Sequence, residues 1–185
     1  MKSIVQFSAA TRPLLPHPQE PFAIIGRLIP HYDGENWAIS EQIFGTPSEK
    51  TYPGDTYDPD AYLENPDQAA FLAICSGRCV GSIRTRRSWN EMAFVEDLAV
   101  DRAYRGQGLG TSLMDAAAAW AKESGLFGIY LETQDLNLLA CRFYLKYGFR
   151  LGGIDRMLYA AGPSAEETAL FFYLPLRGQQ TLSLF

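Results

Sequence analysis

The run Arg105-Gly106-Gln107-Gly108-Leu109-Gly110-Thr111 is the part of the chain best suited to chemistry by residue type and spacing. Glycines let the backbone approach an anion with no Cβ in the way. Successive N–H groups at a helix start, with the helix dipole behind them, form a pyrophosphate cradle. Arg105 adds a positive charge. A P-loop would end in Gly-Lys-Ser/Thr, but Gly110 is followed by Thr111-Ser112. A dinucleotide turn needs G-x-G-x-x-G directly after its strand. Gly106-x-Gly108 begins one and Glu132 follows at a suitable distance, but Thr111 takes the third glycine's place. Asp101 to Arg105 also separates the strand from the glycines, and antiparallel strands precede it. A glycine-rich turn without a ligand is the remaining reading.

Carboxylates are the other reactive groups. Glu132 closes a strand, and Glu96-Asp97 lie within another. Neighbours on a strand point to opposite faces, so at most one of Glu96 and Asp97 is expected to face a cleft readily, with Leu98 and Val100 on the Glu96 side. Cys75, Cys79 and Cys141 read as reduced thiols, and no metal site is expected, because His17 and His31 lie far upstream. A net charge of -5 argues against nucleic acid as the main partner and suits a cationic ligand. No apolar run approaches the roughly 20 residues of a membrane span. The N-terminus lacks a signal-peptide pattern, so the default compartment is the cytoplasm.

These residues need elements to hold them. Residues 1–20, punctuated by Pro13, Pro16 and Pro18, read as an irregular arm. Phe22 to Ile29 is a short strand or helix start closed by Pro30. Thr46 to Asp67 reads as an acidic loop with one helical turn near Ala61–Glu64. Ala70–Cys75 and Cys79–Arg84 form a hairpin, and Met92–Val100 is a third antiparallel strand. Thr111–Ser124 is a helix with Leu109, Leu113, Ala117 and Trp120 on one stripe and Gly125 past its end. Gly128–Thr133 is a strand, and Asn137–Tyr147 is a helix capped by Asn137 and closed by Gly148. Arg150–Met157 and Ala169–Leu174 are the last strands. The order predicts an α/β fold, a mostly antiparallel mixed sheet flanked by helices. The aromatics Trp37, Tyr52, Tyr57 and Trp89 are candidates to line a substrate side.

Two motifs carry a family resemblance. Val95-Glu96-Asp97-Leu98-Ala99-Val100 with Arg105-x-x-Gly108-x-Gly110 resembles the acetyl-CoA signature of the GCN5-related N-acetyltransferases (GNAT). Asn137-x-x-Ala140-x-x-Phe143-Tyr144-x-Lys146-x-Gly148-Phe149 resembles the second motif of that superfamily. Glu20-Pro21-Phe22, Ile25-Gly26, Ile29-Pro30, Glu35-Asn36-Trp37, Leu131-Glu132-Thr133-Gln134-Asp135 and Asp155-x-Met157-Leu158-Tyr159 are similar to streptothricin acetyltransferases, from about Pro21 to Leu176.

The resemblance implies acetyl-CoA as co-substrate, without a metal. It implies backbone contacts from Leu98, Ala99 and Val100 to the pantetheine arm. Arg105, Gly106, Gln107, Gly108, Leu109, Gly110 and Thr111 would hold the pyrophosphate, with further cofactor contacts from Asn137, Ala140 and Tyr144. It makes Tyr144 the acid for the leaving thiolate and Glu132 the base; Glu96 and Asp97 are rivals, and all three carboxylates are candidates to bind the substrate's ammonium groups. Helical spacing lets only one of Phe143 and Tyr144 face the core squarely. Arg142 and Lys146 form a solvated basic face or reach a cofactor phosphate. The implied substrate is a small cationic amine, the β-lysine amine of a streptothricin antibiotic; a protein N-terminus, a polyamine or a non-catalytic CoA-binding domain are the alternatives. The expected domain spans 21–176, with an arm over 1–20 and a tail over 177–185. The assembly state stays open, a homodimer among the options.

Overall fold

The computed structural model describes residues 2–15, 20–52 and 57–177. The strands are β1 (Lys2–Gln6), β2 (Phe22–Tyr32), β3 (Trp37–Lys50), β4 (Gln68–Cys75), β5 (Arg78–Arg87), β6 (Ala93–Val100), β7 (Gly128–Gln134), β8 (Arg150–Asp155) and β9 (Ala169–Pro175). The helices are α1 (Ala61–Glu64), α2 (Leu109–Glu123) and α3 (Leu138–Tyr147). The chain forms two compact units. One comprises Met1–Glu20, Gly54–Tyr130 and Pro175–Phe185, the other Pro21–Pro53 and Leu131–Leu174.

In the first unit β1, β4, β5 and β6 pair in that order, each antiparallel to its neighbour. Residues Ala69 to Ala73 form an unbroken buried run, as a strand covered on both faces requires. Leu113, Met114, Ala117 and Ala121 make the buried stripe of α2, at the 3–4 residue spacing of one helix face. Helix α2 packs against β4, β5 and β6, while Leu72 and Ala70 cluster with Phe7 and Tyr62. In the second unit β8 pairs with β9, and β2 with β3, again antiparallel. Leu138, Cys141 and Tyr144 are the buried face of α3. The fold is the α/β arrangement expected, a mostly antiparallel sheet with flanking helices.

Three local expectations need correction. Lys2–Gln6 is a strand and not irregular; Ile4 and Val5 are half-buried along β4. The chain from Phe22 to Lys50 is one long two-stranded ribbon that runs through Pro30 and Pro47, so Thr46 to Lys50 belongs to a strand and not to an acidic loop. Both strands of a two-stranded ribbon are edges, where a missing N–H is tolerated. The third correction concerns Glu96 and Asp97. Arg84 pairs with Asp97 and Thr85 with Val95, which leaves Glu96 as the extra residue of a β-bulge. A bulge breaks strict alternation. The two carboxylates therefore reach one shared network: the Tyr62 hydroxyl donates to Glu96 at 2.6 Å, Arg84 donates to that hydroxyl at 3.4 Å, and Arg84 lies 3.9 Å from Asp97.

Candidate active site

In the first unit, β6 delivers the chain to the glycine turn. Leu98, Ala99 and Val100 are half-buried and pair with Ile83, Ser82 and Gly81. A 3-10 turn over Arg102–Tyr104 spans the gap before the glycines. Arg105 is tied back: its Nε donates to the Val100 carbonyl at 2.8 Å, and Nη2 lies 3.9 Å from Glu20. Gln107 donates to the Ala103 carbonyl at 3.0 Å and accepts from Lys2 at 2.5 Å. These contacts hold the turn by its side chains and leave its backbone facing solvent.

Gly106 and Gly108 have φ of +71° and +82°, a region L-residues avoid. A Cβ at either would meet nothing within 4 Å, so the backbone borders open space. Gly108 is the N-cap of α2; it makes no side-chain cap, and the first turn holds no acidic residue. The N–H groups of Leu109, Gly110 and Thr111 are the orphan donors of a helix start. Leu109 is buried and anchors the turn, while Thr111 is exposed. An uncapped helix end with open glycines and no acidic residue in its own first turn fits a pyrophosphate.

Glu96 and Asp97 lie on the bulge of β6 and are engaged by the chain's own cations. Arg86 donates to Glu96 at 3.0 Å. Arg84, buried, holds its guanidinium 3.9 Å from the centroid of the Tyr57 ring. Burial opposes the charge of Arg84, but Tyr62, Asp97 and Tyr57 outweigh it, and the group stays firmly protonated.

In the second unit, Glu132 is half-buried on β7 and accepts a hydrogen bond from the Tyr159 hydroxyl. Burial, then the bond to Glu132, pushes the Tyr159 pKa far above that of a free phenol. Tyr159 stays a neutral donor at any physiological pH. Beside this pair sits a cluster that the sequence reading missed. Glu167, buried, accepts from Lys50 and from the Tyr52 hydroxyl, while Lys50 also donates to Ser164 at 2.9 Å. Burial and the Glu167 bond raise the Tyr52 pKa as well. No local signal announces this cluster, because Lys50 and Glu167 lie 117 residues apart. Asp135 is buried, 3.2 Å from Arg27, and its pKa is raised chiefly by burial.

Asn137 caps α3 as expected, accepting from the Ala140 N–H at 3.4 Å. Asn137→Ala should lower unfolding free energy by about 1 kcal/mol. Thermal melting would check this, and an unchanged midpoint would show that the cap contributes nothing. Tyr144, not Phe143, is the member of that pair facing inward; its ring meets Phe149 at 5.8 Å and Phe172 at 6.0 Å. Arg142 is paired with Glu41 through its Nε at 2.9 Å, while Lys146 is exposed. Burial pushes the Cys141 thiol up to about 12, which makes it a poor nucleophile. Of the four candidate aromatics, Tyr52 and Tyr57 serve the networks above, Trp37 packs on Tyr32, and Trp89 is 91% exposed. Among the described residues, no group of three or more His, Cys, Asp or Glu is placed to hold a metal, and no helix is long and apolar enough to cross a membrane.

Comparison with known proteins gives this geometry its context. The model of the acetyltransferase (GNAT) family matches residues 36–149. Streptothricin acetyltransferase A of Bacillus subtilis (strain 168) is 44% identical over 156 residues, covering 84% of this chain and 90% of that one. An Escherichia coli streptothricin acetyltransferase is 36% identical over 153 residues, covering 76% and 87%. A crystal structure from Bacillus anthracis str. Ames, provisionally assigned as a streptothricin acetyltransferase and solved with acetyl coenzyme A, superposes with a TM-score of 0.86 at 30% identity, covering 96% and 99%. The chain belongs to the acetyltransferase (GNAT) family and is an acetyl-CoA-dependent N-acetyltransferase.

Proposed function

We propose that this enzyme acetylates the β-lysine amine of streptothricin-type antibiotics and so protects its host from them. The observation that carries this reading is the 44% identity to the Bacillus subtilis enzyme across 90% of its length. That likeness runs over 156 residues, more than the 36–149 stretch matched by the family model.

Bound acetyl-CoA supplies an activated acetyl thioester. Everything else falls to the chain. The backbone of Leu98, Ala99 and Val100 takes the pantetheine arm, and the turn from Arg105 to Thr111 takes the pyrophosphate. Asn137 and Ala140 add contacts from the start of α3. Glu132 accepts the proton that the attacking ammonium must lose. Glu132 is taken as the base in line with the family resemblance, and its carboxylate accepts from the Tyr159 hydroxyl, while arginines engage Glu96 and Asp97. Glu96 and Asp97 are left as acceptors for the substrate's other cationic groups. The Tyr144 hydroxyl returns a proton to the leaving sulfur.

Tyr144→Phe keeps the ring packing and deletes only the hydroxyl. Turnover should fall at least about 10²-fold while acetyl-CoA affinity holds. Steady-state kinetics with a cofactor titration checks this, and unchanged turnover would remove Tyr144 as the acid. The substrate is tested by following thiol release from acetyl-CoA with streptothricin, with peptides and with a polyamine. Release with streptothricin supports the proposal. Release with peptides or polyamine but not streptothricin would sink it.

A further inference from the structure

The Glu132–Tyr159 contact has a particular setting. Tyr159 lies in the segment joining β8 to β9, and that segment is fastened at both ends. The Asp155 carboxylate accepts from the N–H groups of Met157 at 2.7 Å and Leu158 at 3.0 Å, which shapes the turn just before Tyr159. Further on, Glu167 is held by Lys50 and Tyr52, and the Thr168 N–H donates to Asp135 at 3.0 Å. The phenol is therefore presented from a braced segment. A half-buried carboxylate needs such a partner, since burying its charge without hydrogen bonds is costly. A phenol donating to a carboxylate forms one of the stronger, directional bonds available to it.

We propose that Tyr159 is a positioning residue of the acetyl transfer, whose hydroxyl aims the Glu132 carboxylate and holds its charge ready to accept the substrate's proton. This rests on Glu132 being the base. Tyr52 is within electrostatic reach of both Glu132 and Asp135, and of Tyr159. Glu167 and Lys50 stand behind Tyr52, and Arg27 behind Asp135. The Tyr159 hydroxyl donates to the Glu132 carboxylate and so favours its charged form. Without that donor the Glu132 pKa rises, since a hydrogen bond to the charged form favours that form. A base works only when ionised, so the acid limb of the pH profile must move to higher pH.

The test compares Tyr159→Phe and Glu132→Gln, as full-length chains, with streptothricin as acceptor. For Tyr159→Phe, kcat/KM should fall about 10- to 100-fold, the worth of one hydrogen bond to a charged group. The acid limb should move up by about one pH unit, with acetyl-CoA affinity unchanged. Unchanged affinity also reports that the variant is folded. If Glu132→Gln is inactive but Tyr159→Phe keeps its acid limb in place, with or without lost activity, the positioning role is overturned and the base assignment survives. If Glu132→Gln stays active at neutral pH, the base assignment falls, and this inference falls with it.

Discussion

Glu132→Gln should lower kcat for amine acetylation at neutral pH by about 10²- to 10⁴-fold, the usual contribution of a positioned general base. Gln keeps the length and the acceptor oxygen of Glu, so the Tyr159 hydroxyl retains a partner and β7 should fold unchanged. What is lost is the ability to take up a proton. An alkyl ammonium has a pKa of about 10.4, so at pH 7 roughly one amine in 10³ is neutral without help. The variant must wait for that fraction, whereas the native enzyme deprotonates its bound substrate. The gap between the two should narrow as pH rises toward that of the free amine. Acetyl-CoA affinity should hold, since the phosphate turn is untouched. Near-native kcat at pH 7 would exclude Glu132 and return the question to Glu96 and Asp97.

Gly108→Val should weaken acetyl-CoA binding by at least about 10-fold, as measured by isothermal titration calorimetry. Two costs combine. The φ of +82° lies in the left-handed region, where a side chain costs about 1–2 kcal/mol and a β-branched one sits worst. The added atoms would also point into open space beside the N-terminus of α2, where an anion must come close. Each 1.4 kcal/mol is tenfold in affinity, so backbone strain alone approaches the predicted loss if the turn relaxes to another shape. Gly108→Ala should show a smaller loss, because it carries the φ penalty with less bulk. Native affinity in the valine variant would mean that the pyrophosphate binds elsewhere.

Local signals made much of this molecule legible. The three glycines, the helix stripe of Leu109, Leu113 and Ala117, the Asn137 cap and the Gly148 stop all act within a few residues, and α2 and α3 form where they predict, although Trp120, expected on that stripe, is only half-buried and Met114 and Ala121 complete the buried face. The inward face of Tyr144 was open between two neighbours and needed the packing of Phe149 and Phe172 to decide it. Pro30 and Pro47 misled, since proline breaks a strand only where both edges are needed, and each lies in a strand of a two-stranded ribbon. Glu96 misled because one extra residue resets the two-residue period, and nothing in Val95-Glu96-Asp97 marks a bulge. The Lys50–Glu167–Tyr52 cluster was invisible because its members meet only after the ribbon and the β8–β9 segment have folded.

The most direct measurement is the identity of the product. The purified chain would be incubated with acetyl-CoA and streptothricin, and the antibiotic analysed by fragmentation mass spectrometry. The predicted result is a single added acetyl group located on the β-lysine moiety, formed at least about 10²-fold more slowly when Glu132→Gln is used at neutral pH. Unmodified antibiotic, or an acetyl group located outside the β-lysine moiety, would contradict the account.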